Sequence, residues 1–184
     1  MKIGVVGAGA FGTALAVSLA ANGPVWLWGR AGMETVAASR MTPRLPGITL
    51  PKSVHITSDI NDLSNCDLLL LAMPMQALAD TLPRLSGLSA RYAVACCKGI
   101  DRTRLTGPAE IIASAWPHVT PAVLSGPSFA ADIARGLPTA LSLGCADAAA
   151  GSKLQDALST PTLRLYRTTD VTGVELGGAL KNVI

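Results

Sequence analysis

Gly7, Gly9 and Gly12 stand in the run Gly7-Ala8-Gly9-Ala10-Phe11-Gly12, directly after the short apolar stretch Lys2 to Val6 and at the head of a segment with helical spacing, Phe11 to Ala21. A GxGxxG run between a buried strand and a helix is the turn that receives the diphosphate of a dinucleotide. The first glycine permits the tight turn, the second lets an anion approach the backbone, and the third lets the helix lie close to the strand. Unsatisfied N–H groups at the helix start then face the anion. The bland alternative is a strand-to-helix turn with no ligand. About twenty positions on, a carboxylate usually accepts bonds from the ribose hydroxyls; here the sequence has Trp28-Gly29-Arg30. No acid repels a 2′-phosphate there and the Arg30 guanidinium can pair with one, so NADP preference, or use of both NADP and NAD, is expected. Arg30 as a solvated loop charge, or stacked on adenine, is the alternative.

Three further segments put polar residues into apolar surroundings at the C-terminal ends of expected strands, where ligands of open α/β sheets lie. Lys98 follows Tyr92 to Cys97 and precedes Gly99, so its ammonium can project over the sheet edge towards an anion or a polarised carbonyl. Ser125-Gly126-Pro127-Ser128 would present backbone N–H groups, a hydroxyl and a helix N-terminus to a sugar or phosphate oxygen, although a plain N-cap would look the same. Lys181 sits in an apolar helix with Gly177 and Gly178 one turn before it on the same face. Small residues leave room beside its ammonium, and partial desolvation would suit it to exchanging a proton near neutrality. The alternative is a lysine whose stem packs while its head reaches water.

The elements that must position these groups alternate. Lys2–Val6 reads as strand and Phe11–Ala21 as helix, with Asn22-Gly23 as a stop signal, then Pro24–Trp28 as strand and Met33–Ser39 as helix. Met41 to Ser58, interrupted by Pro43, Pro46 and Pro51, reads as a loop with a short extended segment at Val54-His55-Ile56. Asp67–Met73 is a continuous apolar run, as a strand buried on both faces requires, and Gln76–Leu85 continues it as a helix. Strands at Tyr92–Cys97, Ala122–Ser125, Thr139–Leu143 and Leu163–Tyr166 alternate with helices at Arg104–Ala115, Phe129 to about Ala134, and Asp147–Leu158. A last helix starts at Val171 after the capping candidates Thr169 and Asp170. The fold class that follows is α/β, a Rossmann-like doubly wound, mostly parallel sheet, with the start of a C-terminal helical domain.

Composition excludes other classes. The 184 residues are 49% hydrophobic, 4% aromatic and 15% charged, which suits helices packed on a buried parallel sheet rather than disorder. The net charge of +3 comes from scattered lysines and arginines without a basic stripe, so no nucleic-acid partner is expected. Cys66, Cys96, Cys97 and Cys145 form no CxxC pair and His55 and His118 lie far apart, which argues against a metal site and a disulfide framework and fits a reducing, cytoplasmic location. No uninterrupted apolar run reaches the roughly 18 residues of a membrane span.

Over essentially its whole length the chain resembles the bacterial type of NAD(P)-dependent glycerol-3-phosphate dehydrogenase. The matching stretches are GAGAFGTALA at 7–16, VWLWGR at 25–30, LPGITLP at 45–51, CCKGI at 96–100, LSGPSFA at 124–130 and ELGGALKNVI at 175–184. The resemblance implies interconversion of sn-glycerol 3-phosphate and dihydroxyacetone phosphate with NADP or NAD, supplying the backbone of glycerophospholipids. It implies that Gly7, Gly9, Ala10, Phe11, Gly12, Arg30 and Ala130 line the dinucleotide and that Lys98 touches cofactor and substrate. Gly126 and Ser128 would hold the substrate, and Lys181 would be the catalytic proton acceptor with Asn182 beside it. A homodimer is the candidate assembly of the full-length protein. A dehydrogenase of the 3-hydroxyacid or 6-phosphogluconate kind shares the glycine turn and a lysine and asparagine on a following helix, but the LSGPSFA and LPGITLP stretches argue against it. From another class, a non-catalytic NADP(H)-binding or regulatory module stays open.

The sequence stops in mid-pattern on Val183-Ile184. The family has a second, mainly helical domain whose arginine and asparagine grip the substrate phosphate, so the chain is expected to be cut short. Residues 1–169 would be the dinucleotide-binding domain and 170–184 the first helix of the substrate domain, left without its packing partners. Such a species is expected to bind NADP(H) and to turn over poorly or not at all. Phe11 stands where a Trp or Tyr is common, which keeps an aromatic platform.

Overall fold

Leu68, Leu69, Leu70 and Leu71 are all fully buried, and successive leucines enter different hydrophobic clusters. A strand alternates its side chains between two faces, so four leucines in a row describe a central strand covered on both sides. Each such leucine contributes about 2 kcal/mol through removal from water. The computed structural model, which describes residues 1–180, places this strand in the middle of a single sheet.

The strands are β1 (Ile3–Val6), β2 (Val25–Trp28), β3 (Val54–Thr57), β4 (Leu68–Leu71), β5 (Tyr92–Ala95), β6 (Thr120–Ser125), β7 (Thr139–Gly144) and β8 (Leu163–Thr168). The helices are α1 (Ala10–Leu19), α2 (Met33–Ser39), α3 (Met75–Thr81), α4 (Pro108–Ala115), α5 (Ala130–Ala134), α6 (Ala148–Leu158) and α7 (Val171–Leu180). The sheet order is β3-β2-β1-β4-β5-β6-β7-β8. Strands β1 to β6 pair in parallel, β7 runs antiparallel to β6, and β8 is parallel to β7. The chain reverses its direction of winding between β1 and β4. The carboxyl ends of these two strands therefore frame the crevice where a doubly wound sheet binds its ligand.

Leu15 and Leu19 of α1 share one cluster with Val5, Leu70 and Val94 and with Leu154 and Leu158 of α6. On the other face Leu78 of α3, Ile111 and Ile112 of α4 and Val174 of α7 meet Val6, Leu69, Leu71 and Ala93. A smaller cluster joins Ala14 of α1 to Ile133 of α5 and Leu45, with Ile48 packed beside them. The proline-broken segment at 43–51 thus lies against α1 and is not free in solvent.

The elements read from the sequence are all present, with four differences of physical origin. The extended segment at 54–56 is a full edge strand, β3, paired with β2. Pro83 lacks an amide hydrogen and its ring cannot follow an α-helical turn, so α3 ends at Thr81 and tightens into a 3-10 turn at Leu82–Leu85. The helix expected from Arg104 begins at Pro108, because Asp101 Oδ1 accepts from the amides of Thr103 and Arg104 and holds 101–106 in a turn. The fourth difference concerns α7, which keeps partners within the chain. Val174 is buried on the sheet face, and Gly178 lies so close to β6 that an added Cβ would stand 2.5 Å from Ser125 Oγ. Its outer face carries Leu176 and Leu180, 45% and 54% exposed. Among the described residues no helix is long and apolar enough to cross a membrane.

Candidate active site

The glycine turn closes between β1, β2 and β4. The Gly7 amide donates to the Trp28 carbonyl at 3.0 Å, and the Ala72 amide donates to the Val6 carbonyl at 2.9 Å. Gly7 has φ +118°, and a Cβ there would lie 2.6 Å from the Ala72 carbonyl oxygen, so only glycine makes this turn. A Cβ on Gly12 would stand 2.1 Å from the Gly7 carbonyl oxygen, which is why α1 can start so close to the strand it leaves. Gly9 is different in kind. A Cβ added to it meets nothing within 4 Å, and as N-cap of α1 it supplies no side chain to the first-turn amides. No acidic residue occupies that first turn. Open space at Gly9 beside uncapped N–H groups at the positive end of a helix fits the diphosphate of a dinucleotide.

Lys98 is brought to the same place from the end of β5. Its half-buried side chain donates from Nζ to the Gly126 carbonyl at 3.2 Å, and Nζ lies 5.7 Å from the centroid of the Phe11 ring. A Cβ on Gly178 would come within 3.9 Å of Lys98 Cγ. The turn (Phe11), the β6 end (Gly126) and helix α7 (Gly178, itself against Ser125) therefore converge around the Lys98 side chain. The segment after Lys98 is pinned by Gln76 of α3, whose Nε2 donates to the Ile100 carbonyl at 2.8 Å and whose Oε1 accepts from the Arg102 amide at 3.2 Å. Sequence reasoning missed Gln76. A polar residue on the first turn of a helix has no pattern that tells a clamp from a solvated side chain, and the partners are backbone groups 24 and 26 positions away.

The other sequence-derived positions divide. Ala10 and Ala130 share the small cluster between α1 and α5, so Ala130 borders the start of α1. Arg30 is exposed at the end of β2, one residue beyond Gly29, whose Cβ would lie 3.0 Å from that of Ala8 in the glycine turn. Ser128 is half-buried and lines a shallow cleft of about 300 Å³ with Pro127, Phe129, Asp132 and Leu137. Lys181 and Asn182 lie outside the described residues.

The cysteines offer no nucleophile. Cys97, immediately before Lys98, is buried against the Met75 sulfur, and burial pushes its thiol up to about 12. Burial likewise pushes Cys66 up to about 11 and raises Cys145 and Cys96. Among the described residues no three His, Cys, Asp or Glu side chains are placed to hold a metal ion.

The strand order, the reversal at β1 and β4 and the uncapped glycine turn define a doubly wound dinucleotide-binding domain. Its family is specific. Residues 2–151 match the family model described as NAD-dependent glycerol-3-phosphate dehydrogenase N-terminus, and the chain belongs to that family. It is 57% identical to a glycerol-3-phosphate dehydrogenase (NAD(P)+) of Paracoccus denitrificans over all of its own length and 58% of that relative's. It is 55% identical to the protein of the same name in Cereibacter sphaeroides, over 99% of the chain and 56% of the relative. A crystal structure of glycerol-3-phosphate dehydrogenase from Coxiella burnetii superimposes with a TM-score of 0.91 at 31% identity, over 99% of this chain and 58% of that one. The chain thus spans somewhat more than half the length of the relatives it matches.

Proposed function

We propose that the chain is the cofactor-binding and lysine-bearing part of an NAD(P)-dependent dehydrogenase that interconverts sn-glycerol 3-phosphate and dihydroxyacetone phosphate. The observation that carries this reading is the Lys98 ammonium, held between the Gly126 carbonyl and the Phe11 ring of the glycine turn. A nicotinamide dinucleotide supplies hydride transfer to and from the substrate carbon when bound. Gly7, Gly9, Ala10, Phe11 and Gly12 would line its diphosphate, with the uncapped amides at the start of α1 facing it, Ala130 would border it, and Arg30 would take the 2′-phosphate. Lys98 stabilises negative charge on the substrate oxygen, while Gly126 and Ser128 orient the substrate. Lys181, with Asn182 beside it, exchanges the proton on that oxygen. The boundary between cofactor and substrate domains falls between residues 169 and 170. The full-length protein is read as cytoplasmic and homodimeric.

The test has two arms. Calorimetry on the 184-residue chain is expected to show NADPH binding. The protein expressed from its whole open reading frame is expected to oxidise NADPH with dihydroxyacetone phosphate and not with a β-keto acid. Turnover of the keto acid alone, or of neither, would overturn the reading.

A further inference from the structure

Helix α4 lacks a cap of its own. Its N-cap residue is Gly107, which has no side chain, and Pro108 follows at the first helical position. The amide of Ala109 is one of the N–H groups that every helix start leaves without an intrahelical acceptor. In this chain the acceptor comes from a distant element: Ala109 N–H donates to Oε1 of Glu175 at 2.9 Å, across 66 residues of sequence. Glu175 belongs to α7, three residues before Gly178, and its carboxylate sits at the positive end of the α4 dipole, where a negative charge is favoured. The glycine is part of the arrangement. A Cβ on residue 107 would stand 2.2 Å from Glu175 Oε2 and 2.4 Å from its carboxyl carbon, so the absence of a side chain at the cap is what admits the foreign carboxylate.

The same helix is held at two other points. Val174 packs on the sheet face, and Gly178 approaches Ser125 so closely that a Cβ would not fit between them. Apolar contact permits sliding and rotation more readily than a directional hydrogen bond does, and Gly177 and Gly178 offer little side chain to resist either. Glu175 is the one polar side chain of α7 with a bond to another element among the described residues.

We infer that Glu175 is a positioning residue, which fixes the register of α7 by capping α4 through the gap left at Gly107. Its consequence for turnover rests on the function proposed above, because Lys181 follows Leu180 directly in the sequence. The carboxylate acts here as an acceptor, not as an acid. Burial pushes its carboxyl above the usual range, the Ala109 N–H opposes that rise, and Glu110 adds to it. Burial thus outweighs the Ala109 N–H and makes ionisation harder, so what the geometry uses is the acceptor oxygen, and an amide oxygen in the same place would do the same work.

Amide exchange on the 184-residue chain tests the anchor without any activity. In Glu175→Ala the amides of α7 and of Ala109 are expected to exchange faster by on the order of tenfold, while those of β1 and β4 keep their protection. Glu175→Gln keeps the acceptor and the protection. Gly107→Ala, which pushes the carboxylate away, reproduces Glu175→Ala, and the double variant exchanges no faster than either single one. Unchanged exchange in Glu175→Ala, or two effects that add in the double variant, would overturn the inference. Should Glu175→Ala fail to fold, Glu175→Gln and Gly107→Ala decide it. In the protein from the whole reading frame, Glu175→Ala is expected to lower kcat with an unchanged NADPH Kd and Glu175→Gln to restore it. Equal losses in both would refute the positioning role. If the unsubstituted protein shows no turnover, the function proposed above fails and the exchange result still stands.

Discussion

Lys98 Nζ donates to the Gly126 carbonyl at 3.2 Å, tying the carboxyl end of β5 to that of β6. Fixing a lysine in one geometry costs up to about 2 kcal/mol of side-chain entropy, so an ammonium held this way needs compensating contacts. The carbonyl supplies one and the Phe11 ring another. Gly126 has a φ of +157°, which side-chain-bearing residues rarely adopt, and a Cβ there would stand 2.9 Å from Leu141 Cδ2, so glycine suits this strand end. The charge thereby sits 5.7 Å from the ring of Phe11 in the glycine turn.

Replacement of Lys98 by Met keeps most of the apolar stem and removes the charge. In the protein from the whole reading frame, kcat for dihydroxyacetone phosphate reduction is expected to fall about 100- to 1,000-fold, the usual effect of deleting one donor to a developing oxyanion. NADPH affinity should change less, within about tenfold, because in the proposed function the amides at the start of α1, not Lys98, hold the diphosphate. A kcat within about threefold of the parent would remove Lys98 from the chemistry.

Two glycines of the same turn are expected to part company. Gly9→Ala adds a methyl group where nothing lies within 4 Å, at a φ of −75° that alanine adopts freely. Its stability should stay within about 0.5 kcal/mol of the parent while NADPH binding is lost, since the methyl occupies the anion's approach. Gly12→Ala drives a methyl to 2.1 Å from a backbone oxygen and must separate α1 from β1. It should cost about 1–3 kcal/mol, read as a lower midpoint in thermal unfolding. Equal destabilisation by both would show that Gly9 is structural.

The strands and most helices were legible because burial on both faces writes unbroken apolar runs such as Leu68 to Leu71. The glycine turn was legible for a related reason, since steric exclusion at Gly7 and Gly12 leaves glycine as the one residue that fits. What stayed hidden is what depends on distance in three dimensions. Nothing local in the sequence announces that β7 will run antiparallel to β6, or that Gln76 will clasp the segment after Lys98. The grip of α7 on the sheet was hidden too, because it works through missing side chains at Gly178 and Gly107, and a gap can be recognised only once its neighbour is placed.

Arg30 sits exposed beside the turn, with no ion pair among the described residues. A charge-assisted bond from a guanidinium to a phosphate is worth about 1.5–3 kcal/mol, so Arg30→Ala should weaken NADPH about 10- to 100-fold. NADH lacks the 2′-phosphate and should bind both proteins alike. Parallel calorimetric titrations read the difference directly, and equal losses for the two nucleotides would remove the phosphate role.

The four thiols give the chain a defined alkaline limb. Cys97 is pushed up to about 12 and Cys66 up to about 11 by burial, and Cys96 and Cys145 are raised by the same cause. An unfolded thiol ionises near about 8.5. Below that pH both states keep their protons and the thiols are neutral to stability. As the pH rises above about 8.5 the unfolded chain releases protons that the folded chain retains, so unfolding becomes easier in proportion to the difference in bound protons. The midpoint of urea unfolding should therefore fall between pH 8.5 and 11, and replacing Cys97 with Ala should flatten that fall while lowering stability at pH 7 by leaving a small cavity. A thiol reagent added at about pH 8 should react only as fast as the chain opens, because the thiolate is the reactive species and the native state holds all four protonated. Immediate modification of the native protein would mean that at least one of these thiols is reachable and ionised in the folded state.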